Sequence, residues 1–352
     1  MERVIRQIKH LAGKIDRKIN LMEVCGTHTV AIFRHGIRSV LPDNIRLLSG
    51  PGCPVCVTSV ADIEKALELS RIDDVILATF GDMMRVPGRK KSLYDARAEG
   101  ADIRIVYSPM DSLSICRENR TKRVVFFATG FETTSPSVAA TISMADDEGL
   151  DNLYIHSVHK LVPPALHALV GMEDIKIDGF ILPGHVSTII GSKPYGFLVE
   201  KYNIASVVTG FGAEDILYAI LMLLKQIISS SREVQVQYRG VVREEGNPKA
   251  LGMMRKYFDV ADAYWRGIGT IPESGLVLKE EYSGRDIFKI YDIHSGDINE
   301  PQACRCGDVL TGRIIPSECN LFGKACTPER PVGACMVSTE GSCAAYYKYG
   351  SG

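Results

Sequence analysis

Six of the ten cysteines of this 352-residue chain lie at or beyond position 304: Cys304, Cys306, Cys319, Cys326, Cys335 and Cys343. The sequence that carries them, CRCGDVLTG and then PSECNLFGKACTPERPVGACMVSTEGSCAAYY, is rich in Gly and Pro and shows no sustained helical or strand period. Such a stretch has too few apolar side chains to close a core of its own. A cross-link must hold it: a metal, an iron–sulfur cluster or disulfides.

The rest of the chain is ordinary in bulk. A net charge of −1 gives no electrostatic reason to expect nucleic acid or an anionic membrane as partner. The length predicts two or three domains. The first residues, MERVIRQIKHLAGKIDRKIN, lack the continuous apolar run of a signal peptide. Val4, Ile5, Ile8, Leu11, Ile15 and Ile19 recur at helical spacing and predict an amphipathic helix over 1–19, packed on the third domain described below. The longest apolar run, Ile216 to Ile228, is short for a bilayer and contains Lys225. A soluble, cytoplasmic protein is expected. Cytosolic thiols are kept reduced, which favours metal ligation or redox chemistry over permanent disulfides.

From about residue 20 to 230, short runs of Val, Ile and Leu alternate with Gly-containing loops and helical stretches. The expected strands are Asn20–Val24, Ile45–Ser49, Val75–Thr79, Ile103–Tyr107, Val124–Ala128, Leu153–Ser157, Gly179–Leu182 and Ser206–Thr209. Continuous apolar strands alternating with helices predict parallel sheets covered on both faces. Two sets of four predict two similar α/β domains, 20–119 and 120–229, joined at the polar segment Arg117–Lys122. A third, Cys-rich domain follows over 230–352. Within it, Pro248 to Trp265 reads as a helix, and Gly275–Lys279 with Tyr282–Ile290 as a hairpin.

Ligands of open parallel sheets gather beyond the carboxyl ends of the strands, and the distinctive residues fall there. The first strand leads into Cys25-Gly26-Thr27-His28-Thr29 and a helix. Cys25 before a helix N-terminus is placed for thiolate stabilisation by the helix dipole. His28 is a candidate second ligand, base or hydrogen-bond donor; the plain alternative is a buried Cys and a backbone-satisfied His. The second strand leads into Gly50-Pro51-Gly52-Cys53-Pro54-Val55-Cys56. A C-x-x-C between strand and helix allows disulfide closure or two-point metal ligation, with redox chemistry favoured because no second C-x-x-C completes a zinc ribbon. Glu132, in Gly-Phe-Glu-Thr-Thr, is a candidate acid/base or hydrogen-bonding group, the alternative being a helix-capping segment. His185, in Pro-Gly-His-Val-Ser, has similar standing. Two nucleotide-like patterns fail: Gly184 to Lys193 has the wrong spacing for a phosphate loop, and Gly210-Phe211-Gly212 lacks the third glycine of a dinucleotide fingerprint. In the tail, the wide spacing of Cys319, Cys326, Cys335 and Cys343 suits an iron–sulfur cube better than paired zinc knuckles, with Cys304 and Cys306 as alternative ligands. Zinc, disulfides and free thiols stay open on the residues alone.

Taken together, MEVCGTHT, LLSGPGCPVCVT, FFATGFETT, LPGHVS and the tail motif resemble the HypD family of hydrogenase maturation proteins, in order and from residue 21 to 350. The resemblance implies two similar α/β domains and a C-terminal domain holding a [4Fe–4S] cluster. It implies a scaffold on which the Fe(CN)₂CO group of nickel–iron hydrogenases is built, with a HypC-type chaperone and a HypE-type cyanide donor. A transient iron with cyanide and CO ligands would sit on Cys25 with His28 close by. Cys53 and Cys56 would be a redox-active dithiol, and Cys319, Cys326, Cys335 and Cys343 the cluster ligands. The scaffold itself is expected to be a monomer. One departure is that some members carry a second His where this chain has Val30, so its iron site must do without that group. The runner-up is a stand-alone iron–sulfur thiol–disulfide oxidoreductase, and a third reading is a zinc-stabilised binding module.

Overall fold

The computed structural model describes residues 1–293, 300 and 302–350. The expected third region therefore contains residues 294–299, 301 and 351–352, which lie outside the described residues. All eight expected strands form, each within about two residues of its expected bounds: β1 Ile19–Glu23, β2 Ile45–Ser49, β3 Val75–Thr79, β4 Ile103–Ile105, β5 Arg123–Ala128, β6 Leu153–Ser157, β7 Gly179–Pro183 and β8 Ala205–Thr209. A short β9, Val234–Val236, adds to them. Every residue of β3, β7 and β8 is buried, as strands covered on both faces must be.

The strands partition differently from the expected consecutive halves. One sheet has the order β2-β1-β7-β8-β9 and the other β4-β3-β5-β6, all pairs parallel. The second α/β unit is thus inserted between β2 and β7 of the first, and the division at residue 119/120 cuts through it. Alternation of strand and helix marks the unit type but carries no information on which strands pair. The two units are nonetheless alike. Counted in chain order within its own sheet, each reads 2-1-3-4, with a fifth strand appended to the first. That order has its switch point between strands 1 and 3, where the connections diverge and leave a crevice. In the first sheet this point lies between β1 and β7, and in the second between β3 and β5.

The N-terminal helix α1, Glu2–Ala12, buries Val4, Ile8 and Ala12 in the core of the first sheet, against the helix Ala213–Ser229. Among the described residues its main contact is thus with the first unit, where the third region was expected. Its apolar stripe matches that long apolar helix, and the N-terminal ammonium pairs with Glu214 at 3.2 Å.

The segment 248–265 splits. Pro248–Tyr257 is helical, capped by the Asn247 side chain, and Phe258 to Trp265 is a strand, β10. It pairs antiparallel with β11, Gly269–Leu278, while 280–289 forms short turns of 3₁₀-helix. The missed signal is Gly267-Ile268-Gly269, whose glycines have φ of +72° and +109° and close the hairpin. Trp265 is fully buried at the end of β10. Its indole N–H donates to Ser274 at 2.8 Å, and its ring stacks on Phe131 of the Gly-Phe-Glu-Thr-Thr loop. The third region is thereby docked on the inserted unit. No helix among the described residues is long and apolar enough to cross a membrane.

Candidate functional site

The loop after β1 and the helix α2, Gly26–Arg34, form one wall of the first switch point. Cys25 is the residue before α2, in extended conformation and buried. The loop after β2 presses onto it: Gly26 N–H donates to Gly52 O at 2.9 Å, and a Cβ on Gly52 would overlap the Cys25 backbone. This close approach is why glycine stands at 52. It brings the two cysteine motifs together.

The expected thiolate at Cys25 is not what burial produces. Desolvation pushes the Cys25 thiol up to about 12, helped by Glu340 and Glu23, against weaker pulls from the His28 backbone and Thr27. The helix dipole loses to the missing water. The free site therefore holds a protonated sulfur, and a cation would have to displace that proton on binding.

His28 is fully buried, and its Nε2 pairs with Gly210 O at 2.9 Å. A carbonyl only accepts, so Nε2 carries the proton. Its Nδ1 has no partner among the described residues, and burial lowers the ring to about 4, leaving it neutral with a free lone pair. A histidine whose far N–H is fixed by a backbone carbonyl is the usual preparation of a metal ligand. His28 stacks on Phe211 at 4.7 Å, and Phe211 packs at a tilt against exposed His185 at 4.0 Å. The loops after β1, β7 and β8 thus meet at the switch point.

Glu23, within the motif MEVCGTHT but not among the expected site residues, belongs to this site. It is buried at the end of β1; it accepts the Cys25 backbone N–H at 3.0 Å and the Thr29 hydroxyl. Burial raises it to about 7. A carboxylate in the apolar run Leu-Met-Glu-Val was the available signal.

Glu132 ends the inserted unit's switch point. One oxygen accepts the Val162 N–H at 2.9 Å, at the start of the helix Val162–Val170, while Oε2 has no partner among the described residues. Burial raises this carboxyl too, to about 7. Of the expected cap residues Thr133, Thr134 and Ser135, Thr134 takes the cap position of the helix Ser135–Asp147 but makes no cap hydrogen bond with its side chain, and Glu132 serves the start of Val162–Val170 instead. Tyr195 is fully buried and feels the charges of both Glu132 and Cys25, so it stands between the two units' functional loops.

Cys53 precedes the short helix Pro54–Val57, and its sulfur accepts the Cys56 N–H at 3.3 Å. Cys56 is fully buried and is raised by burial and by its hydrogen bonds to Cys335 and Cys53. Cys335 and Cys306 have sulfurs 3.6 Å apart, and Cys306 in turn bonds Cys304. Hydrogen bonding with Cys306 and then Cys56 holds the Cys335 thiol below its ordinary value, against the pull of burial. Cys53, Cys56, Cys335, Cys306 and Cys304 form an unbroken line of sulfurs between the Gly-Pro-Gly loop and the tail.

At the far end of that line, Cys304, Cys306, Cys319, Cys326, Cys335 and Cys343 line an apolar cavity of about 20 Å³. Cys343 has Cys306, Cys304, Cys326 and Cys319 as neighbours. Soft sulfur donors on short loops, with an apolar surround, fit an iron–sulfur group. Among the described residues no group of three or more His, Cys, Asp or Glu converges on a single-ion site.

Comparison with known proteins gives one answer. The HypD family model, described as the hydrogenase formation hypA family, matches residues 1–350. The hydrogenase maturation factor HypD of Rhodobacter capsulatus is 43% identical, with 99% of this chain and 94% of that protein covered. The Escherichia coli (strain K12) protein of the same name is 42% identical, with 99% and 94% covered. The hydrogenase expression/formation protein HupD of Azotobacter chroococcum mcd 1 is 44% identical, with 95% and 90% covered. With its motifs, sheets and cysteines in these places, the chain belongs to the HypD family of hydrogenase maturation factors.

Proposed function

We propose that this protein is the scaffold on which the Fe(CN)₂CO fragment of a nickel–iron hydrogenase is assembled, together with a HypC-type chaperone and a HypE-type cyanide donor. The observation that carries the reading is the line of sulfurs that runs from the tail cavity to the loop pressed against Cys25. The iron is cargo. Cys25 offers it a soft thiolate once its proton leaves, and His28 offers a neutral lone pair at Nδ1. Glu23 and Glu132 have affinities near neutrality and can take up and return protons in this dry site.

The tail cysteines would hold a [4Fe–4S] cluster, which supplies single electrons at low potential. The family resemblance implies Cys319, Cys326, Cys335 and Cys343 as its ligands. Because Cys335 is engaged by Cys306 and Cys56, we assign the fourth place to Cys304, beside Cys319, Cys326 and Cys343. Cys306 and Cys335 then form a second dithiol. Attack of the Cys335 thiolate on Cys56 of a Cys53–Cys56 disulfide makes a Cys335–Cys56 bond and releases Cys53 as thiolate. Attack of the Cys306 thiolate on Cys335 then frees Cys56. Two electrons move from the Cys306/Cys335 dithiol to the pair beside Cys25, and no other redox partner is needed for the exchange itself.

The test is infrared spectroscopy of the anaerobically purified complex with the chaperone. Cys25→Ser is expected to lose the cyanide and CO bands while keeping iron and sulfide in the tail. Unchanged bands would sink the cargo assignment. Zinc without sulfide in the wild-type protein would remove the redox reading. The stand-alone oxidoreductase reading leaves the Cys25–His28 site without a task.

A further inference from the structure

Arg266 is an anomaly in the packing. It closes β10 directly after Trp265, is only 2% exposed, and its backbone N–H donates to Val57 O at 2.9 Å, one residue beyond Cys56. Its Nε pairs with Glu300 at 3.0 Å. Both terminal nitrogens, Nη1 and Nη2, are buried with no hydrogen-bond partner among the described residues. A buried guanidinium is normally bonded through all its edges, because each unpaired N–H forfeits its water without replacement. One carboxylate on one edge leaves most of that cost unmet.

The surroundings say what is missing. Gly267, the next residue, meets the Cys-rich segment backbone to backbone: a Cβ there would stand 2.7 Å from the Gly307 Cα and the Gly307 N. Gly307 directly follows Cys306. The Arg266 charge reaches both Cys304 and Cys306. No other Arg or Lys is among the main charge partners of those two sulfurs. A net-neutral set of thiols gives such a cation no counterpart. A cluster held by thiolates carries net negative charge, and its potential depends on the charges and hydrogen bonds around it.

We propose that Arg266 is the built-in counter-charge of the anionic group held by the tail cysteines, a positioning residue that sets its potential and its retention. This rests on the iron–sulfur reading above. Glu300 is the opposing control. It holds Nε and also accepts the Val60 N–H at 3.1 Å, so it orients the guanidinium and tempers its charge.

Two near-isosteric variants, Arg266→Gln and Glu300→Gln, test this in the full-length protein purified without oxygen. Iron and sulfide content and the midpoint potential of the visible absorption are measured. A nearby cation favours the more negative, reduced form. Arg266→Gln is therefore expected to lower the potential by at least 59 mV, the one-electron equivalent of a tenfold change, or to lose cluster while Arg266→Lys retains it. Glu300→Gln keeps an oxygen for the Val60 N–H and is expected to raise the potential. If Arg266→Gln does not fold, the sign of the Glu300→Gln shift decides alone: a rise supports the proposal and no change refutes it. A loaded wild type with unmoved potentials in both variants overturns this inference and leaves the iron–sulfur reading standing. A wild type without iron and sulfide overturns the reading beneath it.

Discussion

The Thr27 hydroxyl donates to the Glu340 carboxylate at 2.7 Å, joining the Cys25 loop to the last cysteine loop across the first switch point. On the other side, the Ser338 hydroxyl donates to Asp82 at 3.1 Å, at the second switch point. Two residues of the tail, Ser338 and Glu340, therefore reach the crevices of both sheets. Thr27→Val should cost about 1 kcal/mol, the worth of one such bond. Gly26→Ala should cost far more, since its Cβ would lie 2.5 Å from the Glu340 Cβ and 2.6 Å from the Glu340 carbonyl oxygen. Thermal unfolding followed by the fluorescence of Trp265, the only tryptophan, ranks the two. Equal melting temperatures would contradict this packing.

Gly52→Ala is expected to separate the two cysteine motifs. The added methyl overlaps the Cys25 backbone, and overpacking of that kind costs about 1–3 kcal/mol where the chain can yield. The variant should keep its tail iron and sulfide but lose iron at Cys25. Wild-type infrared bands would show that the close approach is dispensable.

Glu132 makes stability depend on pH in a direction opposite to that of a paired carboxylate. Its folded affinity near 7 exceeds its ordinary value of 4.5, so the folded state binds more protons between those limits. Its contribution is complete below about pH 4.5 and is lost as pH rises through about 7, by up to ~3 kcal/mol. Buried His28, His156 and His159 have lowered affinities and act oppositely, losing stability as pH falls below about 6.5. Glu132→Gln isolates the carboxyl: relative to wild type it should gain stability at pH 8 over pH 5. Denaturant midpoints that run parallel at both pH values would refute the shift.

Cys306 and Cys335 need to close from 3.6 Å to about 2.05 Å to form a disulfide. In metal-free protein under mild oxidation, peptide mapping should find this pair linked, or Cys335 linked to Cys56. Cys116, fully buried on the helix Asp111–Glu118 and raised to about 11, should stay unmodified and serves as the control. Linkage spread evenly over all the tail cysteines would remove the line of sulfurs from the mechanism.

Cys304→Ser and Cys335→Ser separate the two candidate ligand sets. Cys304→Ser should lose most of the tail iron, whereas Cys335→Ser should keep it and lose thiol exchange with Cys53–Cys56. Iron and sulfide analysis of the two proteins decides; the reverse pattern restores Cys335 as a ligand.

Much of this was legible in the sequence, for local reasons. Strand runs such as Val75–Thr79 are apolar throughout because both faces are covered, and Cys25, Cys53 and Glu132 follow strand ends where an open sheet collects ligands. What could not be read was set by long-range pairing. Nothing in β2 or β7 announces that β1 lies between them. The protonated state of Cys25 depends on loops closing over it, and its neighbouring helix start pointed to the opposite charge. Phe258 to Trp265 sits beside a helix and was absorbed into it, although Gly267 and Gly269 marked the turn. Arg266 gave no signal at all, since its distinction lies in what it fails to touch.

The insertion of one sheet into the other also fixes an order of events during synthesis. β1 and β2 emerge first but cannot complete their sheet until β7 arrives, after the whole inserted unit has been made. At roughly 5–20 residues per second that wait is on the order of ten seconds. The Cys25 and Cys53 loops spend it tethered to an unfinished sheet, with their sulfurs open to surrounding metals and oxidants. The burial that later raises Cys25 to about 12 thus also ends a period of vulnerability. The loop that carries Glu340 closes over Cys25 only after every strand of both sheets has been made.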